Sequence, residues 1–273
     1  MPELPEVETS CRGITAHLYQ QTIADVIIRH YQLRWPISQE LPKKLANQRI
    51  QAISRRAKYI LIQVPAGTLL IHLGMSGSIR ILPQDTPLLK HDHVDLILAN
   101  GQCLRFNDPR RFGAMLWVEN DPYQHPLLIN LGPEPLTEAF TGYYLYTKTR
   151  RKNVPIKTLI MDSRIVVGVG NIYANEALFM AGLHPKQAAY KLSQPHCDKL
   201  ANAIKQVLSS AIQQGGTTLR NFTSSEGKPG YFKQQLYVYG RGSEACKNCL
   251  TALVEIRLGQ RSTVFCPSCQ SES

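Results

Sequence analysis

Four cysteines near the C-terminal end carry the most specific chemistry in the chain: Cys246-x₂-Cys249, sixteen residues, then Cys266-x₂-Cys269. Two such pairs can close a tetrahedral shell of four thiolates around one zinc ion, with no position left for water. A zinc held this way is structural rather than catalytic. Between the pairs, Leu253-Val254-Glu255-Ile256 and Ser262-Thr263-Val264-Phe265 flank Gly259-Gln260, which predicts a β-hairpin. Arg261 lies beside that turn, where its side chain can reach a phosphate. Cationic residues also cluster in Arg55-Arg56-Ala57-Lys58, Arg110-Arg111 and Arg150-Arg151-Lys152. One cluster alone reads as a solvated face, but several beside Gly, Pro or aromatic residues point to phosphate contacts. The opening Met1-Pro2-Glu3 says little by itself, since chain ends are usually poorly ordered.

The bulk composition agrees with the clusters. Thirty-one Lys and Arg against twenty Asp and Glu give a net charge of +11. That balance favours polyanionic partners, nucleic acid first and anionic membrane second. No basic amphipathic helix suited to a membrane surface stands out. No apolar run approaches the roughly 20 residues that span a bilayer, and the start lacks the features of a secretory signal. The sequence therefore predicts a soluble, cytoplasmic protein with no membrane partner. A disulfide scaffold is disfavoured, because four of the seven cysteines form the metal pattern and three are scattered. A length of 273 residues suits one large domain or two ordinary ones.

The elements that must position these residues are legible in outline. Val7, Cys11, Ile14 and Leu18 follow a helical period from Pro5, with Glu6 and Glu8 in the first turn. Strand-like stretches follow at 23–28, 50–53, 59–64, 69–73, 78–82, 94–98 and 114–118, and Asn100-Gly101 is a hairpin signal before Cys103. The N-terminal half thus reads as an antiparallel sandwich or barrel. After Leu131-Gly132-Pro133-Glu134-Pro135 helical periodicity takes over. One helix spans Asn171 to Ala181, closed by Gly182, and another runs through Leu200, Ile204, Val207 and Ala211 to Gly215-Gly216. A Gly- and Ser-rich loop, 223–230, precedes the cysteine tail.

Together these segments resemble one family. The carriers are Pro2-Glu3-Leu4-Pro5-Glu6-Val7-Glu8-Thr9, Arg55-Arg56-Ala57-Lys58-Tyr59, His72-Leu73-Gly74-Met75-Ser76-Gly77 and Asp108-Pro109-Arg110-Arg111-Phe112-Gly113. Val167-Gly168-Val169-Gly170-Asn171-Ile172-Tyr173-Ala174 and the knuckle containing Gly259-Gln260-Arg261-Ser262-Thr263 complete the set. The likeness, from Pro2 to Cys269, is to bacterial formamidopyrimidine-DNA glycosylases, which remove 8-oxoguanine and ring-opened purines and nick the abasic strand. It implies an α+β chain of two domains: a helix plus antiparallel β-sandwich, then a helical domain with a helix-two-turns-helix motif and the zinc β-hairpin. The expected divisions are 1–132 for the catalytic sandwich, 133–150 for a linker, 151–235 for the helical DNA-binding part and 236–273 for the zinc finger. Double-stranded DNA carrying an oxidised purine opposite cytosine is the expected partner, bound by a bacterial, monomeric enzyme.

The resemblance makes Pro2 the nucleophile. Once Met1 is removed its nitrogen is a secondary amine, and an α-amino group with a pKa of roughly 8 is partly unprotonated at neutral pH. The iminium formed at C1′ has no N–H to lose, so it stays cationic and acidifies the C2′ proton for β- and then δ-elimination. By the same likeness Glu3 is the acid that protonates the sugar ring oxygen, with Glu6 in electrostatic support. Lys58 contacts phosphate near the lesion, and Asn171 with Arg261 grips the phosphates. Arg261 also serves the second elimination, while His91 and Lys157 contact DNA. Met75, Arg110 and Phe112 correspond to the trio that fills the space left by an extruded base. Met75 between glycines in a hairpin and Phe112 after two arginines are also poorly placed for burial, so the residues themselves favour that reading.

Departures from the family pattern are Ala57 where Gly is usual, Lys233 where Gln is common, and the loop residues Ser224-Ser225-Glu226. They bear on damaged-base preference and not on the nucleophile. Two alternatives remain at this level. An endonuclease VIII-like glycosylase would act on oxidised pyrimidines, but it usually begins Pro-Glu-Gly-Pro and lacks the Asp-Pro-Arg-Arg-Phe-Gly segment. A zinc DNA-binding paralogue without catalysis would not need Pro2 and Glu3 intact.

Overall fold

A computed structural model describes residues 1–216 and 235–271, and the chain divides into two compact units. The first is Met1–Ile129 with a return segment starting at Gln214; the second is Asn130–Gln213 with the C-terminal tail. The expected loop at 223–230 lies outside the described residues.

In the first unit, α1 (Leu4–Leu18) is followed by β1 (Ile23–Ile28), the short α2 (Leu41–Leu45), β2 (Ala52–Arg56), β3 (Tyr59–Val64) and β4 (Gly67–His72). Then come β5 (Ser78–Pro83), β6 (Asp92–Leu98), β7 (Gln102–Asn107) and β8 (Ala114–Val118). Two four-stranded antiparallel sheets form, in orders β1-β6-β7-β5 and β2-β3-β4-β8. Their apolar faces share one core. Ile60, Ile62, Leu69, Ile71 and Met115 from one sheet meet Val94, Leu96, Leu98, Leu104 and Phe106 from the other. Val7, Cys11, Ile14 and Leu18, one face of α1, close the same cluster. The helix is thereby fixed to the sheets, and its N-terminal end with it.

The strand expected at 50–53 is displaced to Ala52–Arg56, because Ile50 pairs through its backbone with Gln20 and Gln21 rather than within the sheet. Asn100-Gly101 does join β6 to β7, with Leu96 opposite Leu104. The expected hairpin around Met75 is a crossover instead: β4 and β5 belong to different sheets, so residues 73–77 carry the chain between layers. Alternation and turn residues look the same in both cases, and only pairing separates them.

In the second unit, α3 (Gly142–Thr149), α4 (Ile156–Ile160), α5 (Asn171–Ala181) and α6 (Gln194–Gln213) pack together. The span 133–150, expected as a linker, contains α3. Gly142 approaches α6 so closely that a Cβ there would lie 1.9 Å from Asp198 Oδ1. Gly182 ends α5 at φ +69°, a left-handed C-cap. β9 (Val254–Leu258) and β10 (Arg261–Phe265) form the predicted hairpin. It packs on α5 within this unit, through a small cluster of Phe179, Val238, Leu253, Val264, Cys246 and Cys266.

Candidate active site and nucleic-acid contacts

The start of α1 is buried. Pro2 and Glu3 are both inaccessible, and Glu3 is the N-cap residue with extended backbone angles. Its N–H donates to Glu6 Oε2 at 2.8 Å, and the reciprocal bond from the Glu6 backbone to the Glu3 side chain completes a capping box. Two glutamates three apart thus lock the residue that follows Pro2. With Met1 in place, the Pro2 nitrogen is an amide and the terminal amine is that of Met1. Burial lowers its pKa below the usual value of 8.0, against the opposing pull of Glu3 and Glu6, while Lys58 and Arg110 lower it further. Those four side chains are therefore the charged neighbours of the N-terminal amine, drawn from α1, the β2–β3 turn and the segment after β7.

Lys58 is aimed by a relay. Arg55 Nε donates to Glu8 Oε2 on α1 at 2.6 Å, and its Nη1 donates to Ala57 O at 2.9 Å. The turn carrying Lys58 is so tied to the helix carrying Glu3. Ala57 adopts φ +54°, the left-handed conformation in which the family's usual glycine is at ease.

Met75, Arg110 and Phe112 come together through a close backbone approach. Gly74 has φ +63°, and a Cβ on it would lie 2.5 Å from the Phe112 carbonyl carbon and the Gly113 nitrogen. Asp108 Oδ2 accepts from Gly113 N at 2.7 Å and shapes the turn that presents Arg110 and Phe112. Arg110 stacks over the Phe112 ring at 4.8 Å. Met75 and Phe112 stay 37% and 42% exposed, so both apolar side chains stand outside the core. His72 supports the same turn: its Nδ1 accepts from Gly74 N at 3.0 Å, and its ring packs on Tyr59. Burial, with Lys58 and Arg34 nearby, pushes its pKa down to about 4, so the imidazole is neutral and can accept that bond.

In the second unit, Asn171 is the first residue of α5, and its Nδ2 donates to Ser262 O at 2.9 Å. Gly170, not Asn171, is the N-cap residue of this helix. Its Oδ1 is buried and has no protein partner among the described residues. Ser262 follows Arg261, an exposed residue opening β10 opposite Leu258. Lys157, expected as a DNA contact, is only 1% exposed. Its Nζ donates to Ser262 O at 3.0 Å and Thr263 Oγ1 at 2.7 Å, so the ammonium holds the hairpin rather than facing solvent. Asn175 Oδ1 accepts from Val264 N at 2.9 Å, adding a third tie between helices and hairpin. Glu176, on the same helix, accepts from Tyr237, Val238 and Tyr239 N at 2.7 to 2.9 Å. Burial nonetheless raises its pKa, since those bonds only partly offset the lost solvation.

The four cysteine sulfurs lie within 4.8 Å of one another. A tetrahedral zinc at about 2.3 Å from each thiolate needs sulfurs about 3.8 Å apart, so the set fits. Asn248 N and Cys269 N donate to Cys246 and Cys266 sulfur at 3.4 Å, as thiolate ligands require.

A model of the formamidopyrimidine-DNA glycosylase N-terminal domain matches residues 1–115, and one of that enzyme's H2TH domain matches 131–223. A third, the zinc finger found in FPG and IleRS, matches 240–271. The chain belongs to the formamidopyrimidine-DNA glycosylase family. It is 58% identical to the formamidopyrimidine-DNA glycosylase of Shewanella sp. strain MR-4 over 99% of this chain and all of that one. The fold is similar to that of the MutM (Fpg) protein of Thermus thermophilus, at TM-score 0.88 and 36% identity over the full length of both chains. It is also similar to Lactococcus lactis Fpg in complex with abasic-site DNA, at TM-score 0.91 and 32% identity over 99% of this chain and all of that one. The family fold, the H2TH domain and the four-cysteine zinc finger are those expected from the sequence.

The sequence reading missed the side chains that hold the site: Arg55, His72, Asp108, Asn175 and Glu176. Only Glu3 and Glu6 carried a local signal, the three-residue spacing of a capping box. Asn175 and Glu176 act through backbone groups distant in sequence, and Arg55 through the side chain of Glu8. His72 and Asp108 hold nearby backbone in turns that carry no regular period.

Proposed function

We propose that this chain is a bifunctional DNA glycosylase and abasic-site lyase for oxidised purines paired with cytosine, acting as a monomer through the nitrogen of Pro2. The observation that carries the reading is the chain end before α1, where the half-buried amine of Met1 has Glu3, Glu6, Lys58 and Arg110 as charged neighbours and a pKa below its usual value. Removal of Met1 puts the Pro2 nitrogen at the chain end, in the same stretch of charged neighbours. A depressed pKa raises the neutral fraction of amine at pH 7, which is the nucleophilic form.

In the proposed reaction the Pro2 nitrogen bonds to C1′ as the C1′–N9 bond breaks, and the damaged base leaves with a proton. Glu3 delivers a proton to O4′ as the C1′–O4′ bond opens, leaving a cationic iminium. Loss of the C2′ proton expels the 3′ phosphate, and a second elimination expels the 5′ phosphate. Lys58 neutralises phosphate near the lesion, and Arg261 and Asn171 hold the phosphates from the second unit. Met75, Arg110 and Phe112 occupy the space left by the extruded nucleotide. The zinc holds the hairpin that bears Arg261 and takes no part in bond breaking.

Excision measured side by side on 8-oxoguanine:cytosine and thymine glycol:adenine duplexes tests the substrate class. Faster release of 8-oxoguanine is expected. Preference for thymine glycol would overturn the purine assignment in favour of the endonuclease VIII-like reading, and binding without release of either base would leave a non-catalytic protein.

A further inference from the structure

Under the connection between β5 and β6 lies a cluster of buried charge that the proposed reaction does not use. The side chains of Arg105 and Asp95 are each 1% exposed and that of Asp92 is fully buried. Arg105 donates to both Asp95 oxygens, at 2.8 and 2.9 Å, and Arg29 adds a bond of 2.7 Å to the same carboxylate. Arg80 pairs with Asp92. Burial alone would raise the Asp95 pKa, but the bonds from Arg105 and Arg29 outweigh it and hold the carboxyl below its usual value. Three guanidinium groups face two carboxylates. Buried ion pairs of this kind contribute little net stability over apolar packing, so fold stability alone is a weak reason for one.

The cluster's remaining hydrogen bonds reach the loop that ends at His91. Arg105 Nη1 donates to Thr86 O at 2.8 Å, and Asp92 Oδ2 accepts from Leu89 N at 2.8 Å. Asn107 Nδ2 donates to Lys90 O at 3.0 Å while bonding Asp92 Oδ1 at 2.8 Å. Asp108 N donates to His91 O at 3.1 Å. Backbone groups at Thr86, Leu89, Lys90 and His91 are thus all captured from below. His91 itself stands at φ +75°, a left-handed conformation that a non-glycine residue keeps only where surrounding structure imposes it.

We propose that Asp92, Asn107 and Arg105 are positioning residues that hold the backbone up to His91 so that the His91 side chain meets the DNA backbone. The inference rests on the reading of His91 as a DNA contact. The buried charge fixes the loop before DNA arrives, so binding does not have to order it.

A double-mutant cycle separates this role from a general structural one. Affinity for a duplex containing a tetrahydrofuran abasic analogue is measured for the zinc-loaded protein and for His91→Ala, Asn107→Ala and the pair. Thermal unfolding and zinc content confirm that each is folded, and Asp92→Asn serves as the second network variant. His91→Ala should weaken binding by about 10-fold and Asn107→Ala by several-fold, while the pair should be less than 2-fold weaker than His91→Ala alone. Asp92→Asn should likewise lose most of its effect in the His91→Ala background. Additive losses, or full affinity in both network variants, would overturn the positioning role alone. Full affinity in His91→Ala would overturn the contact reading and this proposal with it.

Discussion

The two units hold their functional residues by different means. In the first, the N-terminal end of α1 is fixed by a core shared between two sheets and a helix, including Ile14, Leu18, Ile60, Leu69 and Phe106. In the second, Arg261 stands on a two-stranded hairpin with a core of a few side chains around Cys246 and Cys266. An isolated two-stranded ribbon is marginal in water, so metal and buried hydrogen bonds must supply what area cannot. The contrast suggests where each part will fail. On the proposed reading, chemistry at Pro2 is as robust as the sandwich, whereas the phosphate grip depends on a few replaceable groups.

The strongest perturbation of this contrast is metal removal. Structural zinc sites contribute on the order of 10 kcal/mol of folding free energy, so chelation or Cys266→Ala should unfold the hairpin. DNA affinity should fall at least 100-fold while the sandwich keeps its amide protection, as hydrogen exchange resolved by peptide will report. Equal loss of protection in both units would erase the distinction. Next is Lys157→Met, which removes the buried ammonium while keeping its bulk. Faster exchange at 261–265 is expected, with the salt dependence of DNA binding unchanged. A salt slope smaller by about 1 with normal exchange would instead make Lys157 a direct phosphate contact.

A smaller effect should mark the first unit. His72 has a depressed folded-state pKa of about 4 against 6.5 when unfolded. Its contribution is full above pH 6.5 and is lost as pH falls toward 4, because the unfolded chain takes up the proton first. Urea unfolding at pH 7.5 and 5.0 should show about 2 kcal/mol less pH-dependent loss in His72→Asn than in the parent protein. Identical losses would remove His72 as the neutral acceptor for Gly74. The smallest change is Ala57→Gly, where relief of the left-handed strain is offset by added freedom in the unfolded chain. Stability should move by less than about 1 kcal/mol in either direction.

Much of this was readable from the sequence. The helical period of Val7, Cys11, Ile14 and Leu18, the Asn100-Gly101 turn and the paired cysteines each encode local physics that survives in the fold. What was not readable depends on how segments pair and on what then covers them. The Met75 segment has the turn residues of a hairpin, but its flanking strands join different sheets. Lys157 looks like any basic residue until Ser262 and Thr263, more than a hundred residues later, close over its ammonium. Arg105 and Asp95 alternate along strands as surface charges would, yet both are buried against each other. Polar residues that act by holding backbone groups leave little periodic signal.

The central claim is that the chemistry belongs to the nitrogen of Pro2. Borohydride reduction during turnover of an 8-oxoguanine:cytosine duplex, followed by peptide mass spectrometry, tests it most directly. The account predicts a reduced sugar adduct on the N-terminal peptide, at Pro2 and only in chains lacking Met1. An adduct on Lys58 or another lysine, or undiminished trapping by a variant that keeps a residue ahead of Pro2, would contradict it.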